Sequence, residues 1–264
     1  QFAEGVNLRD AAPGKPPTID AARIDELRAG AGVNWQDQFF RSAPFSNIVI
    51  SASGGSDDVD YYISANTYKA KATIINQDFN RLNLRANINA QLNDNLKVGI
   101  NNFISRSENT GQRADLAYGI PWDMNTPPRD ENGEYNSVPL ISAVGNGSNM
   151  PLLAPENNSV ENISDQLISS IYANYKFTDN ITLNISAGVE KIDFTNSRYV
   201  HGVTGPNSAV VRDQQALRIQ NTNRLTYKND NPDHAFQADL DHEQQSFEMS
   251  FREATANSCS TNPN

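Results

Sequence analysis

Residues 79–107 read FNRLNLRANINAQLNDNLKVGINNFISRS. Leu82, Leu84, Ala86, Ile88, Ala90 and Leu92 fall on even positions, and Asn83, Arg85, Asn87, Asn89 and Gln91 on odd ones. A period of two predicts a strand with one apolar and one polar face. Asn93-Asp94-Asn95 then predicts a tight turn, because Asn and Asp tolerate the left-handed conformations of hairpins. Leu96, Val98 and Ile100 resume the alternation against Lys97, Gly99 and Asn101. The stretch is a hairpin of two strands longer than those of ordinary globular sheets.

The same grammar runs outward in both directions. Strands are expected at 47–53 and 61–73 before the hairpin, and at 165–177, 181–199, 216–228 and 235–252 after it. The strongest repeat is Ile181, Leu183, Ile185, Ala187 and Val189 against Thr182, Asn184, Ser186, Gly188 and Glu190. Between strands the connections alternate: Gly54 to Asp58, Asn93 to Asn95, Thr178 to Asn180 and Asn229 to His234 are short, and the others longer. Short turns therefore collect at one end and longer loops at the other, as in up-and-down outer-membrane barrels. Aromatics cluster near strand ends: Tyr61, Tyr62, Tyr175, Phe177, Tyr227 and Phe236 by the turns, Phe194, Tyr199, Phe247 and Phe251 by the loops. They suggest two interfacial girdles, and ordinary sheet aromatics account for the same residues. The fold class expected is all-β, an antiparallel up-and-down transmembrane β-barrel segment of about eight strands. A leading segment, 1–45, holds a helix over Thr18–Ala29 and a second short one near Trp35. The barrel strands occupy 46–252 with a long external loop at 108–162, and 253–264 is an irregular tail.

Composition narrows the function classes. The 264 residues carry a formal charge of -10, and no basic cluster offers a nucleic-acid surface. Hydrophobic residues are only 38%, which suits a barrel whose strands each turn one face to water. Cys259 is the only cysteine, so no intrachain disulfide forms, and in a polar tail it reads as an inert thiol. No apolar run is long enough for a transmembrane helix, which leaves barrels open. The chain opens at Gln1 and its first Met is Met124, as expected of a mature product or a fragment.

An ordered set of short motifs carries a family resemblance. Asn34 to Pro44 (NWQDQFFRSAP), Ile48 to Gly55 (IVISASGG), Tyr61-Tyr62-Ile63-Ser64, Asn80 to Asn87 (NRLNLRAN) and Leu96-Lys97-Val98-Gly99 follow one another. In that order they resemble the early barrel of SusC/RagA-type TonB-dependent outer-membrane transporters of Bacteroidota. Pro127-Pro128 with Asp130 to Tyr135 (DENGEY) resembles an external loop of that family, and Ala238 to Phe247 (ADLDHEQQSF) a later strand. Asn34, where the family often has Thr or Asp, and Lys69 to Thr73 (KAKAT) depart from its pattern. The resemblance implies that the strands belong to a larger wall of about 22 strands. It also implies import of oligosaccharides or peptides, a SusD-like surface lipoprotein as partner, and TonB acting through a plug domain absent from this chain. Outer-membrane lipid would surround the wall. The alternative carried from the residues is a soluble β-sandwich carbohydrate-binding module.

No catalytic constellation stands out, and no cofactor is expected. His201, His234 and His242 sit in a loop, a turn and a strand, and no H-E-x-x-H, G-x-S-x-G or phosphate loop is present. Asp239, Asp241 and Glu243 share a strand face, which offers a carboxylate patch for a cation or hydroxyl-rich ligand; a solvated lumen wall explains them as well. Arg81 and Arg85 share a face with Asn83, Asn87 and Asn89, and Arg218 and Arg224 with Gln220 and Thr222. Tyr118, Trp122 and Tyr135 in the long loop would stack on sugar rings, pack on a partner lipoprotein or anchor the loop. Asp130, Asn132 and Glu134 around Gly133 put oxygens close together but lack EF-hand spacing.

Overall fold

The computed structural model describes residues 21–29, 32–114, 126–134, 157–201 and 206–258, with isolated positions before 21 and at 116 and 136. Eight strands lie side by side in chain order in one antiparallel sheet. They are β1 (Phe45–Gly55), β2 (Val59–Lys71), β3 (Asp78–Asn93), β4 (Leu96–Thr110), β5 (Ser159–Lys176), β6 (Ile181–Val200), β7 (Ser208–Asn231) and β8 (His234–Asn257). The up-and-down order expected from the alternating connections is the order observed.

Register explains how one apolar face arises from separate periodicities. Tyr61 stands opposite Ile88, Ile88 opposite Ile100, Ile100 opposite Ile171, and Ile171 opposite Ala187. Residues directly opposite share a face. Each strand's alternation is therefore brought into phase, and a one-residue slip would turn every apolar side chain to the polar face. On the apolar face the greasy rows stop before the loop end. Leu82 stands beside Arg106, Arg106 beside Asp165, Asp165 beside Asp193, and Asp193 beside Gln215. This belt is held by Arg106 Nη1–Asp165 Oδ2 at 3.3 Å, Lys191 Nζ–Asp193 Oδ2 at 2.7 Å and Gln215 Nε2–Asp193 Oδ1 at 2.6 Å.

Beyond that belt the strands run on, and the sequence under-reads them. β7 begins at Ser208, within the stretch expected as a loop, and β8 continues to Asn257, into the expected irregular tail. Ser208 to Val211 pair with Asn257 to Ala254. Both segments lie past the apolar band, so neither carries a period-two signal; backbone pairing alone makes them strand. A second correction concerns the aromatics. Tyr61, Tyr175 and Tyr227 occupy the apolar face near the turns, with Tyr227 and Phe236 rings 5.4 Å apart. Phe194, Phe247 and Phe251 instead lie on the polar face, opposite Gln214, Arg218 and Gln214. The loop-end girdle is therefore not formed by them.

Among the described residues no second layer covers either face of the sheet. Among the described residues only Trp35, Phe39, Gly99, Ala114 and Thr126 are buried, while Ile171 and Leu240 are 58% and 71% exposed. A β-sandwich would place a second sheet about 10 Å away; the described strands form one sheet, so the sandwich alternative fails. The small core sits at the loop end. Helix α2 (Trp35–Phe39) follows the short helix α1 (Ala21–Arg28), and packs Trp35 and Phe39 on Ala114, Val33, Ile74 and Ile75. Asn34 caps α2, its Oδ1 accepting from Gln36 N at 3.2 Å, so the departure from Thr or Asp keeps the capping chemistry. Arg41 ties this unit to the β2–β3 connection: its guanidinium donates to Ala72 O, Gln77 O and Asp78 Oδ1 at 3.1, 2.9 and 2.8 Å.

Candidate functional site

The polar face is the candidate site, because its side chains are linked across strands. At the β1 edge Asn66 Nδ2 donates to Asn47 Oδ1 at 2.6 Å, Asn83 Nδ2 to Asn66 Oδ1 at 3.4 Å, and Ser105 Oγ to Asn83 Oδ1 at 2.8 Å. Nearer the turns, Tyr172 reaches over β4 and donates its hydroxyl to Asn89 Oδ1 at 2.7 Å, while Asn89 Nδ2 donates to Asp60 Oδ1 at 2.9 Å. Gly99 makes this possible. It lies between Asn89 and Tyr172 in register, and a Cβ there would fall 2.3 Å from the Tyr172 ring.

A charged cluster occupies β5 to β8. Glu190 accepts from Gln166 Nε2 at 3.2 Å and Arg218 Nη1 at 3.1 Å, and the Arg218 guanidinium lies 5.7 Å from the Phe247 ring centre. Glu190 and Arg218, with Ile168, Ser170 and Gln220, line a depression of about 200 Å³ over Gly188. It presents a guanidinium, a carboxylate and amides together, a set suited to hydroxyl-rich or amide-bearing ligands. Arg81 and Arg85 lie over the rings of Tyr68 and Phe103 at 5.7 and 5.6 Å, which holds the two guanidinium groups against the wall.

The three strand carboxylates do share this face, and Asp239 and Asp241 are each held by different partners. Asp239 accepts from Thr226 Oγ1 at 2.6 Å and Gln237 Nε2 at 2.8 Å, and Asp241 accepts from Arg224 Nε and Nη2 at 2.6 and 3.3 Å. Glu243, opposite Thr222, makes no hydrogen bond among the described residues. No group of three His, Cys, Asp or Glu among the described residues is placed to hold a metal ion. At 130–134 the loop clasps itself: Asp130 Oδ1 accepts from Asn132 N at 2.8 Å and Glu134 N at 2.9 Å, with Gly133 at φ 83. Tyr118, Trp122, Tyr135 and Cys259 lie outside the described residues.

Tyr172 and Glu190, which the structure joins to Asn89 and to Arg218, are not among the site residues the sequence singles out. Their types were visible on the polar face of each strand; the signal lacking was the register that brings three strands together.

No family model matches the chain. TonB-dependent receptor P3 of Formosa agariphila is 26% identical over 171 residues, 61% of this chain and 17% of that protein. TonB-dependent receptor P26 of the same organism is 23% identical over 202 residues, 75% of this chain and 20% of that protein. The fold overlays on the RagAB peptide importer in its closed-closed state with a TM-score of 0.73 at 22% identity, covering 86% of this chain and 27% of that one. The open-open state gives the same score. The resemblance to SusC/RagA-type TonB-dependent transporters holds. The chain spans about a fifth of the length of the curated relatives it matches. Its eight antiparallel strands match a barrel segment of a SusC/RagA-type protein.

Proposed function

We propose that the chain forms part of the barrel wall and vestibule of a SusC-type TonB-dependent outer-membrane transporter that imports oligosaccharides or peptides. The observation that carries this is a single sheet with one apolar and one polar face, neither covered by a second layer among the described residues, and with short turns at one end only. A bilayer covers an apolar face of this kind, and a hydrated lumen solvates the linked amides and charges of the other. The polar face, with its guanidinium, carboxylate and amide groups, lines the path or meets a plug that TonB displaces. The loop end is the external side and meets a SusD-like lipoprotein.

The test places single cysteines in outer membranes from the native cells, with Cys259 replaced by Ser. Ile88→Cys and Ile185→Cys mark the apolar face, and Asn87→Cys and Ser186→Cys the polar one. A water-soluble maleimide is expected to label the polar pair and spare the apolar pair. Equal labelling of both overturns the wall. Deleting the gene is expected to abolish uptake of one substrate class, glycan or peptide, and unchanged uptake of both overturns transport.

A further inference from the structure

We infer that the apolar face carries a seat for one anionic, phosphate-bearing lipid of the leaflet at the loop end. The inference rests on the membrane reading above. Ile50 and Ala52 of β1, Ile63 and Ala65 of β2, Leu84 and Ala86 of β3, and Ile104 of β4 border a concave depression of about 430 Å³ on that face. The alternation of branched side chains with alanines makes the concavity. In register, Ala52 stands beside Ile63 and Ile63 beside Ala86; one row nearer the loops, Ile50 stands beside Ala65 and Ala65 beside Leu84. Each alanine leaves a gap between bulkier neighbours, wide enough for a hydrocarbon chain.

The headgroup end is marked by charge. Along β2 the same face continues from Ala65 through Thr67 to Lys69 and Lys71, both exposed. Lys69 lies four residue steps along the strand from Ala65, about 13 Å at the usual rise. Neighbouring cations are neutralised: Arg106 by Asp165, Lys191 by Asp193, and Arg41 by Asp78, the residue opposite Lys71. Glu108 lies one strand further, opposite Asn80. Lys69 and Lys71 have no ion-pair partner among the described residues. Two unpaired ammonium groups at the outer edge of the apolar band fit a phosphate, and the depression below them fits its acyl chain.

The test uses the full protein extracted from its own outer membranes in mild detergent. Lipid phosphorus is measured in the organic extract of the purified protein. Lys69→Gln/Lys71→Gln is expected to lower bound lipid phosphorus about tenfold, and Lys69→Arg/Lys71→Arg to retain it. Ala65→Trp, which fills the depression, is expected to lower it as well. If that variant fails to assemble, the lysine variants decide. Unchanged lipid phosphorus in the Gln variant, phosphate found only in the aqueous phase, or dimerisation through this face overturns the lipid seat. A protein absent from the outer membrane overturns the wall and the seat together. A correct labelling split between faces with no bound lipid overturns the seat alone.

Discussion

Gly99 shows how much one missing side chain can organise. It is the point where Tyr172 crosses β4 to reach Asn89, and its absent Cβ would sit 2.3 Å from the Tyr172 ring and 2.5 Å from Asn89 Oδ1. Both neighbours would have to move, so Gly99→Ala is expected to cost about 1–3 kcal/mol by overpacking and to break the Tyr172–Asn89 bond. Tyr172→Phe removes that bond alone and should cost about 1 kcal/mol. Because the two changes disrupt one contact, the double variant should cost less than the two singles added together. Thermal midpoints of the assembled barrel, read by the gel shift between folded and heat-unfolded forms, check all three. Strict additivity would mean that Gly99 and Tyr172 are uncoupled. Nothing in the local sequence announces this pairing: Gly99 reads as one more small residue in an alternating strand, and only the β4–β5 register gives it a role.

At the scale of elements, the strands were legible because each carries its own period, and period needs no partner to be seen. What the chain hides is where strands continue without a membrane-like band. β7 and β8 outrun their apolar stretch, with Val210 and Val211 adjacent rather than alternating, and they remain strands by pairing with each other. The connections hold a sharper test. Gly111 adopts φ 88, and a Cβ on it would lie 1.4 Å from Asn76 O, while its N–H donates to Val160 O at 2.7 Å. Gly133 adopts φ 83, and a Cβ on it would have no atom within 4 Å. Both substitutions to Ala incur the left-handed penalty of about 1–2 kcal/mol, but only Gly111→Ala must also push the β2–β3 connection away. Limited proteolysis should therefore show new cleavage at residues 72–77 in Gly111→Ala and none there in Gly133→Ala. Equal cleavage in the two variants would refute the contact with Asn76.

For the molecule as a whole, the decisive fact is what the sheet leaves unmet. Among the described strands β1 pairs only with β2, and β8 only with β7, so within these eight strands each end of the sheet presents a row of backbone N–H and C=O groups without a strand partner. Such an edge is unstable beside lipid, where each unpaired group costs several kcal/mol, and in water it templates association. The apolar face adds exposed Ile, Leu and Val, with no layer above it among the described residues. Among the described residues the polar face is uncovered too, so no core on it compensates for ordering strands of 11 to 24 residues. The 264 residues produced alone in detergent-free buffer should therefore associate or lack stable tertiary structure. Within a closed barrel the same residues should behave differently, because β1 and β8 gain neighbours. Amide hydrogen exchange on the full protein should then protect β1 and β8 as strongly as β4 and β5. On the isolated chain in detergent, β1 and β8 should exchange first and β4 and β5 last. A monodisperse, fully protected monomer of the isolated chain in plain buffer would contradict this account, because it would require the apolar face and both edges to be satisfied within these eight strands.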